Sequence, residues 1–253
     1  MSNISEFSIH FEAAIEDLKQ KILGTFSNRV SQFGFRSAWE HYEEVIIEVL
    51  TEFLTNVPLN ISEKNIKKTT SKSVYPDLKI RFNGKDYAID VKSGEAGRNP
   101  WYDIGRLDTY EESHLEKYAG EYCITVKWKN HGDPKVLAIF IEPTYKSVGY
   151  RATYNGVLYR PYDGKLRPKS WSEFETNYSY WKDLEHFKIG LKAAKLHRQI
   201  RFIYQWYQNM DTVNREQVKK ILASVDSDKF SLESANEFLK SLDLITDKED
   251  LEQ

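Results

Sequence analysis

The stretch YPDLKIRFNGKDYAIDVKSGE, residues 75–95, decides the fold. Apolar and polar side chains alternate with a period of two on both sides of the dipeptide Asn83-Gly84. Alternating runs joined by Asn-Gly are the strongest short-range signal for a β-hairpin, because this dipeptide tolerates the positive φ angles of a two-residue turn. The stretch therefore predicts two antiparallel strands with a tight turn between them.

The second predicted strand carries charged side chains on one of its faces. Successive side chains of a strand point to opposite faces, so Asp90 and Lys92 share one face. Ile89 and Val91 share the other face and are expected in the core. The turn folds this strand back along its partner, which brings Asp77 towards Asp90. Two carboxylates and an ammonium are thus predicted to meet at one edge of the sheet.

This cluster indicates a metal site. Two carboxylates a few ångströms apart repel unless a cation lies between them, and Mg²⁺ binds through one or two carboxylates together with phosphate oxygens and water. Lys92 could orient an attacking water, help to deprotonate it and offset charge on a phosphate. Asp77, Asp90 and Lys92 therefore predict Mg²⁺-assisted hydrolysis of a phosphodiester. The alternative interpretation is a surface hairpin with an incidental salt bridge.

Elsewhere the hydrophobic period separates helices from strands. Helices are predicted over residues 5–27 and 38–54, from Trp171 onward, and over two short stretches at 214–224 and 231–242. A helix, or a loop and a helix, is predicted over 103–119, strands over 121–129 and 135–143, and a peripheral hairpin over 148–162. This order predicts the α/β class, with a central mixed sheet of four or five strands flanked by helices and a helical C-terminal portion.

Length and composition bound the possibilities. The 253 residues fit one large domain over 1–210 and a small helical appendage over 211–253. The net charge of −2 argues against a protein that is basic all over, but local basic stripes suit one that holds a polyanion in a cleft. No Gly-rich phosphate-binding loop followed by Lys-Ser or Lys-Thr is present, so ATP is not expected as a partner.

The compartment and the metal type follow from the cysteine and histidine content. The single cysteine, Cys123, cannot form an internal disulfide and favours a reducing compartment. No signal peptide and no apolar run of membrane length is seen, so we expect a cytoplasmic protein that does not contact a membrane. The six histidines show no ligand spacing with cysteine or with each other, which argues against a structural zinc.

Pro76-Asp77, the spacer, and Asp90-Val91-Lys92 resemble the motif of the PD-(D/E)xK nucleases, which lies on such a hairpin. The resemblance implies a Mg²⁺-dependent nuclease with a restriction-endonuclease-like fold. It also implies that Asp77, Asp90 and the Val91 carbonyl are metal ligands, and that Lys92 acts on the attacking water.

These nucleases usually add a glutamate from the helix before the hairpin. Glu43 lies at the border of the predicted buried face of that helix and is the first candidate, and Glu40 is the second. A solvated acidic helix flank is the alternative for either residue.

Within the family the chain is similar to type II restriction endonucleases of the EcoRV-like group, with SVYPD at 73–77 and DVKS at 90–93. This similarity implies site-specific cleavage of double-stranded DNA, leaving 3′-hydroxyl and 5′-phosphate ends. A palindromic site cut on both strands implies a homodimer. Two alternatives stay open: a repair or junction-resolving nuclease of the same fold, and a DNA-binding protein without catalysis.

Five further residues are candidates for DNA contact. Arg98 and Asn99 follow the Asp90-bearing strand in a polar loop, and Asn155 lies in an Arg- and Tyr-rich segment. Arginine and asparagine can read base edges in a bidentate manner. Lys192 and Lys195 belong to a basic stripe at helical spacing that could bind phosphates. An ordinary loop, a dimer contact and a solvated helix face are the respective alternatives.

Overall fold

A five-stranded mixed sheet forms the centre of the fold. The computed structural model describes residues 6–33, 41–56, 59–69, 75–129 and 135–209. Within these the sheet has the order β1-β2-β3-β4-β5, with only β3 and β4 parallel. Its strands are β1 (Ile66–Lys68), β2 (Leu78–Phe82), β3 (Lys85–Glu95), β4 (Gly120–Lys129) and β5 (Lys135–Pro143). With helices on its flanks, this sheet confirms the predicted fold class.

The predicted hairpin is formed by β2 and β3. Asn83 and Gly84 both have positive φ, at 47° and 76°, as a two-residue turn between twisted strands requires. The turn fixes the register, so that Leu78 pairs with Ile89. One residue further along, Asp77 therefore comes opposite Asp90.

Helices near the N-terminus cover one face of the sheet. The six helices described are α1 (Glu6–Ala13), α2 (Ile15–Phe33), α3 (Tyr42–Thr55), α4 (Thr144–Ser147), α5 (Trp171–Glu175) and α6 (Leu184–Asn209). Apolar side chains of α1 to α3 pack with those of β3 and β4 in one buried cluster; Phe11, Leu18, Leu50, Ile89 and Ile124 are all at most 1% exposed within it. The helix predicted over 5–27 is in fact two helices, divided at Ala14.

The connection from β3 to β4 crosses the opposite face of the sheet, as a parallel pair requires. Of the two alternatives predicted over 103–119, the structure has the loop followed by a helix, because only Glu111–Leu115 form a helical turn. The backbone N–H groups of Ile104 and Leu107 donate instead to the carbonyls of Leu166 and Gly164. This backbone pairing holds the first part of the connection in an extended conformation.

A second buried cluster lies outside the N-terminal one and joins the crossover to later segments. It is built from Tyr102, Leu107, Tyr110, Val157, Leu166, Trp181 and Phe187, among others. The predicted peripheral hairpin is present as two short strands, β6 (Tyr150–Arg151) and β7 (Gly156–Val157). Tyr102 also reaches the sheet, where its hydroxyl lies 2.8 Å from that of Thr125 on β4.

The chain divides into two compact units, Met1–Ala194 and Lys195–Gln253. The division predicted at residue 210, the two short helices predicted after it and Glu40 lie outside the described residues. The predicted separation of a C-terminal appendage therefore stays a prediction. No helix in the described ranges is long and apolar enough to cross a membrane.

Candidate active site

Asp77 and Asp90 are brought together by the hairpin. The side chain of Asp77 turns towards β3, where its Oδ2 accepts a hydrogen bond of 2.6 Å from the backbone N–H of Val91. Val91 stands between Asp90 and Lys92, and its own side chain is buried in the N-terminal core cluster. The rigid strand thus fixes the position of the Asp77 carboxylate. The proximity of Asp77 and Asp90 predicted from the sequence therefore results from the strand pairing and from this hydrogen bond.

Asp90 is a buried carboxyl group, only 4% exposed. Its pKa is raised from 3.8 to about 7, mainly by burial and further by the neighbouring Asp77 carboxylate, while Lys92 opposes the rise. Both effects penalise the negative form of Asp90. The Lys92 ammonium therefore does not fully compensate the negative charge of the pair when both carboxyl groups are ionised.

Lys92 is held directly against Asp90, with 2.6 Å between its Nζ and Asp90 Oδ2. Burial acts to lower the pKa of Lys92, but the attraction of Asp90 and Asp77 outweighs it and the pKa is raised. Lys92 is therefore an ammonium at neutral pH. In this state it can donate hydrogen bonds and offset negative charge, but it cannot itself accept a proton from water.

A cavity of about 530 Å³ opens over these three side chains. The crossover forms its opposite wall, where Asp103, Arg106, His114 and Lys117 line the cavity, and Lys165 joins them from the later segment. Arg106 and Lys117 are exposed, whereas Lys165 is paired with Asp103 at 2.6 Å. The cavity therefore presents the Asp77 and Asp90 carboxylates on the strands, and on the opposite wall the exposed cations Arg106 and Lys117 beside the Lys165–Asp103 pair.

The donor set at the base of the cavity fits a hard divalent cation. The Val91 N–H donates to Asp77 Oδ2 and Lys92 contacts Asp90 Oδ2, and the two carboxyl groups also interact directly with each other, which brings their oxygens together for one ligand. A cation there would also favour the ionised form of Asp90, which burial and the Asp77 carboxylate disfavour. In the described ranges no group of three or more His, Cys, Asp or Glu side chains is arranged to hold a metal ion. The candidate site thus consists of two carboxylates, and the resemblance of the sequence motif implies the Val91 carbonyl as a third ligand.

Glu43, predicted to serve the same site, lies on the first turn of α3. Its carboxylate accepts a hydrogen bond of 2.8 Å from the Tyr42 hydroxyl, and Glu43 is absent from the described residues that line the cavity. Burial raises the pKa of Tyr42, with smaller contributions from Glu43 and Asp77, while a hydrogen bond with Ser93 opposes the rise. The structure therefore connects Glu43 to the site through the Tyr42 hydroxyl.

Sequence patterns did not indicate several cavity residues. His114, Arg106 and Lys117 belong to the crossover and show no spacing typical of a site. Their common location becomes visible only when the parallel pairing of β3 and β4 is known, since it forces the chain across the cavity. A prediction that β3 and β4 are parallel would have indicated these residues, because a parallel pair requires the intervening chain to cross a face of the sheet.

Arg98 and Asn99 line a second groove beyond the C-terminal end of β3. Trp101 and Trp128 line the same groove, and the Trp101 side chain is exposed. Arg98 is bound to Glu95, with 2.5 Å between Nη2 and Oε2. The two residues predicted to contact DNA thus lie in a groove at the end of the Asp90-bearing strand, although they are absent from the cavity lining.

The other predicted DNA contacts are further from the acidic pair in the chain. Asn155 has a left-handed backbone with φ of 50°, and its Oδ1 accepts hydrogen bonds from Tyr150 and Tyr180. This places Asn155 in a turn that it helps to stabilise. Lys192 is exposed on α6, and Lys195, which belongs to the second compact unit, is half-buried.

Comparisons with known proteins give a fold likeness. No family model matches the sequence, and no curated protein matches it. Among solved structures the chain is similar to the NlaIV restriction endonuclease, with a TM-score of 0.42 and 16% sequence identity over 60% of this chain. The match covers 63% of that enzyme, which is less than two thirds of its length. A likeness at this level gives no basis for assigning catalysis or substrate, which have to be judged from the side chains of the site.

Proposed function

We propose that this protein is a Mg²⁺-dependent endonuclease that hydrolyses phosphodiester bonds in double-stranded DNA. The observation that carries the proposal is the hydrogen bond from the Val91 N–H to Asp77, which fixes two carboxylates and the Lys92 ammonium on one strand pair at the base of a cavity. An incidental surface salt bridge would not be buried, and Asp90 is 4% exposed.

Each residue of the cluster has a definite task in this reaction. Asp77, Asp90 and the Val91 carbonyl would hold Mg²⁺, which when bound supplies positive charge to the phosphate and lowers the pKa of water. Lys92 donates hydrogen bonds to the attacking water or to a phosphate oxygen and offsets the charge that develops there. The core packing of Val91 keeps these groups aligned and so reduces reorganisation during the reaction.

The rest of the cavity suits a polyanion. Arg106 and Lys117 place exposed positive charge opposite the carboxylates, at positions where the phosphates on either side of the reacting one could bind. The groove that holds Arg98 and Asn99 adds side chains able to read base edges. These features, with the similarity of the sequence motif to type II restriction endonucleases, support cleavage at a short palindromic site by a homodimer.

Digestion of a plasmid of known sequence, with and without Mg²⁺, tests the proposal. A small set of discrete fragments that share one palindrome at their ends is expected, with Arg98→Ala lowering cleavage at that palindrome more than non-specific binding. Cleavage confined to branched or mismatched DNA would contradict site-specific cleavage and favour a repair or junction-resolving nuclease. Binding without any cleavage would favour a non-catalytic DNA-binding protein.

A further inference from the structure

A buried histidine of the cavity wall, His114, is paired with a glutamate, Glu121, which is not among the described residues that line this cavity. His114 Nδ1 is 2.9 Å from Glu121 Oε1, and each side chain is only 6% exposed. The hydroxyl of Tyr75 donates to the same Glu121 oxygen at 2.5 Å. Glu121 is thereby fixed by Tyr75, and it orients the imidazole of His114 through Nδ1.

Two aromatic rings hold the imidazole plane. The Tyr110 ring stacks on the His114 ring, with 4.2 Å between the ring centroids and 9° between the planes. The centroid of the Tyr75 ring lies 4.1 Å from that of His114. With Nδ1 bound to Glu121, Nε2 is the nitrogen left for a ligand. A Cβ at Gly105, itself part of the cavity wall, would lie 3.0 Å from Nε2. The same Cβ would lie 2.8 and 2.9 Å from two carbons of the Tyr110 ring, so a glycine at this position leaves room for the stacked Tyr110 and His114 rings.

This arrangement lies close to the acidic pair. Burial raises the pKa of Tyr110 well above its ordinary value, and the charges of Glu121, Cys123 and Asp90 add to the rise. Burial and Glu121 raise the pKa of Tyr75 as well, with a further contribution from Asp90. Both rings that hold His114 are therefore within the electrostatic range of Asp90, across a cavity that His114 and Asp90 both line.

We propose that His114 is a further catalytic residue, the proton donor to the leaving oxygen in the phosphodiester hydrolysis proposed above, on which this inference rests. The oxygen of the attacking water forms a bond to phosphorus, and that water loses a proton to solvent. The bond from phosphorus to the 3′ oxygen breaks, and this oxygen takes the Nε2 proton of the His114 imidazolium. The neutral imidazole keeps its Nδ1 proton on Glu121 and regains the Nε2 proton from solvent.

Glu121 is a positioning residue in this scheme. Its hydrogen bond to Nδ1 selects Nε2 as the nitrogen that donates. A purely structural histidine would need the same hydrogen bond but no access to the cavity. If His114 is a proton donor, the decrease in cleavage rate on its replacement depends on the leaving group. If His114 is only structural, the decrease is the same for every leaving group.

A substrate with sulfur in place of the scissile 3′ oxygen separates the roles. A thiolate leaves without protonation, so a missing proton donor slows cleavage of the oxygen substrate and leaves cleavage of the sulfur substrate unchanged. We expect His114→Asn to cut the oxygen substrate about 100-fold or more slowly than the wild type, in line with the usual contribution of general acid catalysis. The same variant should cut the sulfur substrate within about 3-fold of the wild type, a margin small beside that contribution. His186→Asn is the matched control, because His186 contacts the Tyr180 and Trp181 rings and is absent from the cavity lining.

Equal slowing of both substrates by His114→Asn would overturn the proposal and make His114 a structural residue. Glu121→Gln provides the same comparison should His114→Asn fail to fold, with a smaller but still selective loss on the oxygen substrate. Equal losses in that variant would also overturn the proposal. If the wild type cuts neither substrate with Mg²⁺, the proposed endonuclease function itself has failed, which is a different outcome from failure of the His114 role.

Discussion

The carboxylate of Asp77 accepts a 2.6 Å hydrogen bond from the backbone N–H of Val91, the residue between Asp90 and Lys92. The side chain of the residue that directly precedes β2 is thus hydrogen-bonded to the backbone of β3. The position of Asp77 relative to Asp90 therefore depends on strand pairing and on the burial of Val91. Sites held on paired strands are more precisely positioned than sites held on loops.

Replacement of Lys92 should reduce cleavage without disrupting the fold. Lys92→Ala removes an ammonium that offsets charge near the phosphate, so we expect a loss in cleavage rate of about 100-fold or more. Lys79→Ala is the control, since Lys79 also pairs with an aspartate, Asp86 at 2.7 Å, on the same hairpin but is not part of the cavity lining. Single-turnover rates and Mg²⁺ titrations measure the effect. Loss of Mg²⁺ binding or of folding in Lys92→Ala would instead make Lys92 a structural partner of Asp90.

Asp90 should make the metal-free protein less stable as the pH rises. Its pKa is about 7 in the folded chain against an ordinary value of 3.8, so between these pH values the folded state binds a proton that the unfolded state has lost. The free energy of unfolding then falls by about 1.4 kcal/mol per pH unit from this group until the pH reaches about 7 and levels off above it, which gives about 3 kcal/mol between pH 5 and pH 8. Asp90→Asn removes the contribution and should exceed the wild type in stability at pH 8.

Denaturant unfolding in EDTA at both pH values measures this difference. The difference in the free energy of unfolding between the wild type and Asp90→Asn is compared at the two pH values. The other titrating groups cancel in this difference because both proteins contain them. Mg²⁺ added at pH 8 should stabilise the wild type and leave Asp90→Asn nearly unchanged, because a ligand that binds the folded state shifts unfolding by mass action. The same stability difference at pH 5 and pH 8 would contradict the assigned environment of Asp90.

The basic wall of the cavity should determine much of the salt dependence of DNA binding. Arg106→Ala together with Lys117→Ala removes two exposed charges, so the slope of log affinity against log salt should decrease in magnitude by about two. Lys21→Ala on α2 is the control, because α2 packs on the opposite face of the sheet. An unchanged slope in the double variant would mean that DNA does not follow this wall.

The Lys192 and Lys195 pair predicted from the sequence can be tested in the same assay. If α6 binds phosphates, Lys192→Ala with Lys195→Ala weakens binding to all sequences alike, because phosphate contacts carry no sequence information. If only the cavity wall binds DNA, the slope stays at its wild-type value in this variant. The two double variants together therefore show whether the DNA phosphate backbone follows the cavity wall, α6 or both.

The sequence predicted the hairpin and its acidic face because those signals are local. The Asn83-Gly84 turn fixes the register within a few residues, and alternation then separates Asp90 and Lys92 from Ile89. The break between α1 and α2 was not predicted, because apolar spacing continues through it.

The crossover could not be predicted from local pattern. Its local pattern fits a helix as well as a loop followed by a helix, and the choice is made by tertiary backbone hydrogen bonds to residues 164–166, which hold its first part extended. His114 and Glu121 are seven positions apart, and Tyr75 meets them only through the fold. Strand β1, of three residues and rich in lysine, likewise depends on its pairing with β2.

Cleavage of duplex DNA by Asp90→Asn, compared with the wild type in Mg²⁺, tests the central claim most directly. Asparagine keeps the size of the side chain and removes the charge that would hold the metal, so we expect binding with Ca²⁺ present to persist and cleavage to fall below detection. Asp86→Asn, on the same strand but paired with Lys79 and Arg81, should cut at the wild-type rate. Mg²⁺-dependent cleavage by Asp90→Asn at a rate close to that of the wild type would contradict the assignment of the site.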